Sequence, residues 1–311
     1  MALLVIMNLS ENIDVVSNIS QKEFQDSYFK PQKPVVIKGL TTHTAAGKKW
    51  SINYFKDTMG SHMIDVFDNS KKNNASAFTE PDLKMKLEDF LSVISKNEPT
   101  NLRIFLYNMF KHKKELRKEF PCPEICKGLL DYIGYMFFGG KNTKVRIHYD
   151  IDMSNVLHTH FEGKKRVVLI SPEYNDLLYC LPLNTYSLID PDKPDLKKYP
   201  GLQFVKGYDF VLEAGDSVFI PSGYWHYMTY LESGFSVSYR KINPTVNSLT
   251  KGFLNLCIYL PFDKLMNKVY GAEWLETKKR IAEKRADWAI EKEYQYRKSY
   301  TVAMNKVAMK S

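Results

Sequence analysis

The sequence is poor in cysteine. It has four cysteines among 311 residues, and only Cys122 and Cys126 lie close together, with no second pair at a spacing that suits a metal. This argues against a disulfide framework or a cysteine-rich zinc site and predicts free thiols in a reducing compartment. On this basis we expect a cytoplasmic protein.

The sequence also lacks a long apolar run. Residues 1–9 are apolar, but they have no basic flank and no cleavage site, and they are too short to span a bilayer. No other run is long enough, so no membrane partner is predicted. Residues 1–9 are expected to form an extra strand or to precede a true start at Met7.

One motif in this sequence has the pattern of a metal centre. His148 and Asp150 form an H-x-D motif, and His226 follows 76 residues after the aspartate in Ile-Pro-Ser-Gly-Tyr-Trp-His. Side chains alternate along a strand, so His148 and Asp150 point to the same face. Two imidazoles and one carboxylate can hold one face of Fe(II) and leave the other open. These three residues are the candidate metal ligands and catalytic residues, although His148 alone also fits a hydrogen-bonded core histidine.

The surrounding segments resemble the JmjC and cupin-like hydroxylases. The metal pair is followed by Gly163-Lys164-Lys165-Arg166, by Gly215-Asp216 leading to Ile220-Pro221, and by Trp225-His226, and Lys33–Leu40 resembles the strand that opens the family's domain. The resemblance covers roughly residues 18–243. This family includes the asparaginyl hydroxylase of hypoxia signalling and the wybutosine tRNA hydroxylase, which are Fe(II)- and 2-oxoglutarate-dependent dioxygenases.

The resemblance implies a mainly β fold with helices, in which a double-stranded β-helix (a jelly roll) forms the core. We expect an N-terminal α/β part over residues 1–142, the core with the metal site over residues 143–245, and a basic helical extension over residues 246–311. Related hydroxylases dimerise through their C-terminal helices, so a homodimer is expected. The long insert over residues 173–209 is expected to shape substrate access.

The resemblance also implies roles for individual residues. His148, Asp150 and His226 match the iron ligands, and Lys165 matches the lysine that pairs with the distal carboxylate of 2-oxoglutarate. A dianion in a barrel needs a fixed cation at its far end; the alternative is that Lys165 belongs to a solvated turn. The implied cofactors are Fe(II), 2-oxoglutarate and O₂, with release of succinate and CO₂ and an Fe(IV)-oxo species that abstracts a substrate hydrogen. The retained carboxylate ligand argues against halogenation.

The spacing after the metal pair departs from the family pattern. The family usually has an asparagine four residues after the aspartate and its lysine thirteen after, whereas Lys165 follows Asp150 by fifteen residues. Asn155 is therefore either a replacement for the usual asparagine near the cosubstrate or displaced from it. Ser238 and Arg240 fall near a polar position that the family has in a late strand. Arg240 can there provide a second contact to an anionic group of the cosubstrate or substrate. The further candidate cosubstrate contacts are Tyr107, Ser238 and Arg240.

Three more residues are candidates for contact with the substrate, namely Asp152, His160 and Trp225. Asp152 extends the metal motif to H-Y-D-x-D, and an exposed loop aspartate is the alternative. His158 and His160 share one face of a strand, a pattern that binds the metal in other cupins. The spacing to a suitable glutamate fits that interpretation less well, so His160 is expected to line the pocket or to stay hydrogen-bonded.

The C-terminal segment is basic. Residues 264–311 hold twelve Lys or Arg and six Asp or Glu, so they contribute +6 of the chain's net charge of +9. Such a surface can attract nucleic acid or an acidic polypeptide, but the charges alternate with glutamates and no RNA-binding motif is present. Trp274, Ile281 and Trp288 recur every seven residues, with Leu275, Ala282 and Ala289 beside them. They predict an apolar stripe that packs on the barrel, on a second copy, or on both.

Together these features predict an Fe(II)- and 2-oxoglutarate-dependent dioxygenase. It is expected to hydroxylate a side chain of a peptide or protein, or a free amino acid. The alternatives are a hydroxylase of tRNA or other RNA, for which a nucleic-acid partner is possible but not favoured, and a non-catalytic cupin-like binding module.

Overall fold

The computed structural model describes residues 7–70, 80–130 and 132–308. The strand predicted over residues 1–9 lies largely outside the described residues. Met7 is buried, and Asn8 and Ser10 make isolated β-bridges with Lys206 and Tyr208. Among the described residues, no helix is both long enough and apolar enough to cross a membrane.

The described chain begins with a mixture of strands and short helices, continues with eight successive strands and ends with three α-helices. The strands are β1 Asp14–Ser17, β2 Val35–Lys38, β3 Met63–Asp68, β4 Leu83–Lys86, β5 Leu102–Tyr107, β6 Tyr132–Gly139, β7 Lys144–His148, β8 Ser154–Glu162, β9 Lys165–Ile170, β10 Gly207–Leu212, β11 Ser217–Ile220, β12 Trp225–Tyr230 and β13 Gly234–Ile242. The α-helices are α1 Gln21–Phe24, α2 Ala45–Lys49, α3 Ile52–Met59, α4 Leu87–Ile94, α5 Met109–His112, α6 Leu116–Glu119, α7 Val246–Phe253, α8 Leu260–Tyr270 and α9 Ala272–Ala308. One-turn π-helices follow α1 over Gln25–Phe29 and α7 over Leu254–Tyr259.

Two sheets face each other across the core. The larger has the strand order β1-β2-β11-β8-β13-β6-β5-β3-β4, and the smaller has the order β10-β9-β12-β7. The last eight strands contribute four to each sheet, and their neighbours are antiparallel. This is the double-stranded β-helix, which confirms the predicted fold. The barrel begins with β6, earlier than residue 143, because β6 pairs with β13 inside the larger sheet.

Strand β8 shows how the barrel sorts its residues. Its first seven residues are all buried, because both faces of the strand are covered. Val156 and His158 line the barrel interior, whereas Leu157 packs outward in a cluster with Phe24 and Phe219 beneath the N-terminal helices. A capping box of Ser20 and Glu23 opens the first of these helices. Strand alternation therefore decides which residues of β8 can reach the site.

The insert between β9 and β10 lies between the smaller sheet and α9. Its Leu178 and Leu202 share a buried cluster with Ala282 and Ala286 of α9. Of the expected apolar stripe, Leu275, Ala282 and Ala289 pack in or against this cluster, whereas Ile281 is 39% exposed and Trp288 is 56% exposed. The small alanines on the adjacent face allow the helix to approach the barrel closely.

A buried ion pair fixes this arrangement. Lys278 Nζ lies 2.7 Å from Asp263 Oδ1, and both side chains are almost fully buried. Asp263 also accepts hydrogen bonds from Trp274 Nε1 at 2.7 Å and from Asn184 Nδ2 at 3.2 Å. Asn184 belongs to the insert, so one carboxylate joins the insert to α8 and α9.

Candidate metal centre and its cavity

The three candidate ligands converge at one end of the barrel. His148 ends β7 and His226 lies in β12, where the two residues are directly paired across neighbouring antiparallel strands. Asp150 follows two residues after His148. The ligand atoms of all three lie within 4.8 Å of one another, and the two imidazole centroids are 4.2 Å apart. This spacing allows the three side chains to bind a single metal ion.

Backbone carbonyls fix the tautomers of both histidines. His148 Nδ1 lies 2.7 Å from the carbonyl oxygen of Arg146, and His226 Nδ1 lies 3.1 Å from that of Tyr224. A carbonyl only accepts, so each Nδ1 carries the proton and each Nε2 keeps its lone pair for a metal. Burial, together with the neighbouring His226, lowers the pKa of His148 to about 3. At neutral pH the ring is therefore in its metal-binding form.

Arg240 supports the carboxylate ligand. Its Nη2 lies 3.1 Å from Asp150 Oδ2 and 2.8 Å from Asp152 Oδ1. Burial acts to raise the pKa of Asp150, but Arg240 and the two histidine ligands outweigh it and lower the pKa. Asp152, predicted as a substrate contact, is thus also a partner of Arg240, and its carboxylate accepts from the Ser154 hydroxyl at 2.8 Å.

The three candidate ligands His148, Asp150 and His226, called the metal group below, open into a cavity of about 660 Å³. Apolar side chains line much of it, and polar groups enter at a few points. The lining residues include Val145, Val156, His158, Lys165, Tyr186, Ile220, Met228, Tyr230, Ser238 and Arg240 besides the three candidate ligands. Of the predicted cosubstrate contacts, the structure brings Lys165, Ser238 and Arg240 to this cavity.

Lys165 places a cation inside the barrel. It is 1% exposed, and its Nζ donates to Ser236 Oγ at 2.6 Å and lies 3.0 Å from His158 Nε2. The Tyr230 ring centroid is 4.1 Å away. Among the residues that the structure describes, no carboxylate lies within 4 Å of Nζ. Burial therefore lowers the pKa of this amine well below its usual value, and an incoming anion is the missing partner.

The neighbours of Lys165 in sequence face outward. Lys164 is exposed and lies 3.7 Å from Glu213, and Arg166 pairs with Asp209 at 2.7 Å. Strand alternation directs only the middle residue of the three into the barrel. The solvated-turn interpretation therefore does not apply to Lys165.

The two histidines of the H-x-H motif, His158 and His160, form hydrogen bonds near Lys165 and are not part of the metal group. His158 Nδ1 lies 2.8 Å from Ser238 Oγ, and His160 Nδ1 lies 2.9 Å from Ser236 Oγ. His160 is fully buried, does not line the cavity, and its Nε2 has no partner among the described residues. His158 and Ser236 were not predicted to surround Lys165. The pattern that could have placed them is strand alternation, because Ser236 lies two residues before Ser238 and His158 lies two residues after Val156.

Besides His160, three predicted site residues lie outside the cavity lining. Asn155 is on the opposite face of β8 from the cavity, where its Oδ1 accepts from the Ser222 backbone amide at 2.9 Å. Trp225 is fully buried on the outer face of β12 and donates to Asn175. Tyr107 packs at the edge of the core beneath the N-terminal helices. Strand alternation explains the placement of Asn155 and Trp225, because each directly precedes an inward-facing residue.

Comparisons with known proteins agree with this geometry. A family model described as "Cupin-like domain" matches residues 21–248. Lysine-specific demethylase 8 from Xenopus tropicalis is 27% identical over 228 residues, which are 71% of this chain and 50% of that protein. The tRNA wybutosine-synthesizing protein 5 from Homo sapiens is 27% identical over 243 residues, covering 72% of this chain and 75% of that protein.

A third relative, Jumonji C domain-containing protein 5 from Drosophila melanogaster, is 29% identical over 236 residues, covering 71% of this chain and 57% of that protein. The chain spans about half the length of the frog demethylase that it matches. It belongs to the cupin-like domain family, and the resemblance to the JmjC-type hydroxylases is confirmed.

The metal group can be tested by removing one ligand at a time. We expect His148→Ala and Asp150→Ala each to weaken Fe(II) binding by at least about 100-fold, because changes outside the ligand set already cost roughly 10–100-fold. Anaerobic titration calorimetry measures the affinity. His62→Ala, outside the cavity, is the matched control and should bind Fe(II) as the wild type does. Unchanged affinity in Asp150→Ala would show that the metal is held elsewhere.

Proposed function

We propose that the protein is an Fe(II)- and 2-oxoglutarate-dependent hydroxylase. The observation that carries this proposal is that one cavity of about 660 Å³ contains both the three-residue metal group and the buried cation of Lys165. A 2-oxoglutarate molecule has a keto acid at one end and a carboxylate at the other. The two ends of the cavity offer the matching partners, a metal with open positions and an ammonium group.

The donor set fits Fe(II). Neutral imidazoles and a carboxylate suit this ion better than they suit a soft metal, and His148 and His226 both present Nε2 because their Nδ1 atoms face carbonyls. When bound, the iron supplies the activation of O₂ and the oxidation of 2-oxoglutarate and of a substrate C–H bond. His148, Asp150 and His226 would hold it, and Arg240 keeps the carboxylate ionised and oriented.

The remaining cavity residues bind and orient the cosubstrate. Ser236 Oγ and His158 Nε2 hold the Lys165 ammonium in a fixed position, so its hydrogens can be shared with an incoming carboxylate. Ser238 fixes the His158 ring from the other side. The apolar wall formed by Val156, Ile220 and Met228 excludes water from between the two ends. A non-catalytic binding module would not need this combination.

A peptide or protein side chain is the substrate that the surroundings favour. A second cavity of about 1430 Å³ adjoins the first, and Phe105, Val145, His148 and Tyr186 line both. Its size and its mixed polar lining suit several residues of a polypeptide. An RNA substrate is the second candidate, favoured by the basic segment that includes α9. The larger cavity has a lining of mixed charge, with four carboxylates beside five basic side chains, whereas a phosphate backbone is matched by a lining that is mainly basic.

Succinate formation tests the proposed activity. Protein reconstituted anaerobically with Fe(II) should convert 2-oxoglutarate to succinate when O₂ is admitted. We expect Lys165→Met to raise the apparent KM for 2-oxoglutarate by at least about 30-fold, because it removes one partner of a buried charge pair. Lys164→Met removes the neighbouring exposed lysine and should leave the KM unchanged. A wild-type protein that binds Fe(II) but neither binds nor turns over 2-oxoglutarate would contradict the proposal.

We further propose that the protein is a homodimer formed through α7 and α8. Large apolar side chains on these two helices are exposed, and Val246 is 81% exposed. Within each helix they recur at spacings of three and four residues, so on each helix they share a face. The residues are Val246, Leu249, Phe253, Phe262, Leu265 and Val269. A contiguous apolar face of this kind is typical of a subunit interface.

Substitution of this face should separate the subunits. We expect the wild-type protein to sediment as a dimer and the double variant Phe253→Glu, Leu265→Glu to sediment as a monomer, because two charges would be buried at the interface. Sedimentation velocity measures the change. Lys251→Glu alters charge on the same helix without touching the apolar face and should leave the dimer intact. A monomeric wild type at tens of micromolar would disprove the dimer.

A further inference from the structure

The larger cavity adjoins the metal group on the side of His148. Since His148 and Tyr186 line both cavities, a substrate in the larger one lies directly beside the metal group. The residues of that shared region therefore decide which chemical group is held next to the reacting position. Two of the nearby residues are arginines, Arg103 and Arg146.

Arg103 is held by aromatic packing and one hydrogen bond. It lies on β5, where its guanidinium carbon is 5.2 Å from the Phe105 ring centroid and 5.8 Å from that of Phe67. Its Nε donates to Asn69 Oδ1 at 3.0 Å. Among the described residues, none accepts a hydrogen bond from its two terminal nitrogens, and no carboxylate forms an ion pair with it. The guanidinium is thus fixed in place while its terminal nitrogens stay available for a ligand.

Arg146 approaches the same region from β7. It lies two residues before His148, so the two side chains share one face of the strand. Its guanidinium carbon is 4.7 Å from the Tyr186 ring centroid, and its carbonyl oxygen orients His148. Arg146 therefore contributes to both sites. It lines the larger cavity, and its backbone carbonyl contacts the metal ligand His148.

The two arginines make this region locally positive. Burial lowers the pKa of Arg103, and the positive charge of Arg146 lowers it further, although an arginine in a protein stays protonated. Asp82 opposes this effect, but one of its carboxylate oxygens accepts from the Asp68 backbone amide at 2.8 Å. A carboxylate bound at the terminal nitrogens of Arg103 would be attracted by this positive charge.

We propose that Arg103 and Arg146, with Tyr186, form a subsite for a carboxylate of the substrate, so that the oxidised peptide residue is acidic or lies next to an acidic residue. This inference rests on the proposed function. The planar fork of a guanidinium matches a carboxylate through two parallel hydrogen bonds. The carboxylates elsewhere in the larger cavity favour a single acidic group flanked by neutral or basic residues over a chain that is anionic at every unit.

Peptide binding tests the subsite. The probes are blocked, fluorescently labelled heptapeptides with Ala and Lys flanks and a central Asp, Glu, Asn, Gln or phosphoserine. Fluorescence anisotropy with full-length protein, Fe(II) and 2-oxoglutarate under anaerobic conditions gives the affinities. We expect the Asp or Glu peptide to bind at least about tenfold more tightly than its amide counterpart, because a charge-assisted pair is lost in the amide.

Variants assign that preference to the two arginines. Arg103→Gln and Arg146→Gln should each remove it, whereas Arg117→Gln, an exposed arginine that does not line the larger cavity, should keep it. Arg146→Glu should favour a central Lys peptide instead. Unchanged 2-oxoglutarate affinity shows that each variant is folded, and Arg103→Lys and Arg146→Lys, which keep the charge, should retain part of the preference.

Several outcomes would overturn the subsite. These are equal binding of acidic and amide peptides by the wild type, a preference that survives in the double variant Arg103→Gln, Arg146→Gln, and a preference for phosphoserine over Asp of about tenfold or more, which would mark a phosphate site. The titration is repeated with metal-free protein. Failure of the proposed function would appear separately, as absent succinate formation and absent 2-oxoglutarate binding.

Discussion

The buried ammonium of Lys165 is the charge on which the cavity depends. An isolated cation inside a barrel is costly, and two weak partners, Ser236 and His158, do not neutralise it. Lys165 lies at the far end of a cavity whose other end holds the two imidazoles and the carboxylate of the candidate metal ligands, and burial without an anionic partner lowers its pKa well below the usual value. The same low dielectric that makes the empty site unfavourable strengthens the attraction for an incoming dianion.

The sequence was sufficient for features that depend on local periodicity. An H-x-D at the end of a strand must present both side chains on one face, so His148 and Asp150 could be paired from spacing alone, and the distant His226 followed from the resemblance. The capping box at Ser20 is also visible in the Ser-x-x-Glu spacing, whereas the two sheets were expected from the resemblance to the family. The role of Lys165 came from the family pattern, and its full burial agrees with that role.

Other residues were not placed correctly from the sequence, some because strand alternation was decisive and others because tertiary pairing was. Asn155 lies between the inward-facing Ser154 and Val156. Two extra residues after Asp150 leave the alternation of faces unchanged, so Val156 rather than Asn155 lines the cavity. Trp225 precedes an inward histidine and must face outward. The bridge from Arg240 to Asp150 and Asp152 joins β13 to the loop after β7, which are distant in sequence. The alanine face of α9 likewise depends on how closely the insert allows the helix to approach.

The proposed function requires that one cavity bind the metal and 2-oxoglutarate together. The most direct measurement is the affinity for 2-oxoglutarate, by anaerobic calorimetry, with and without Fe(II). If both bind in one cavity, their binding is linked, and Fe(II) should tighten 2-oxoglutarate binding by about tenfold or more in the wild type but not in Asp150→Ala. Equal affinity with and without the metal in the wild type would contradict the account.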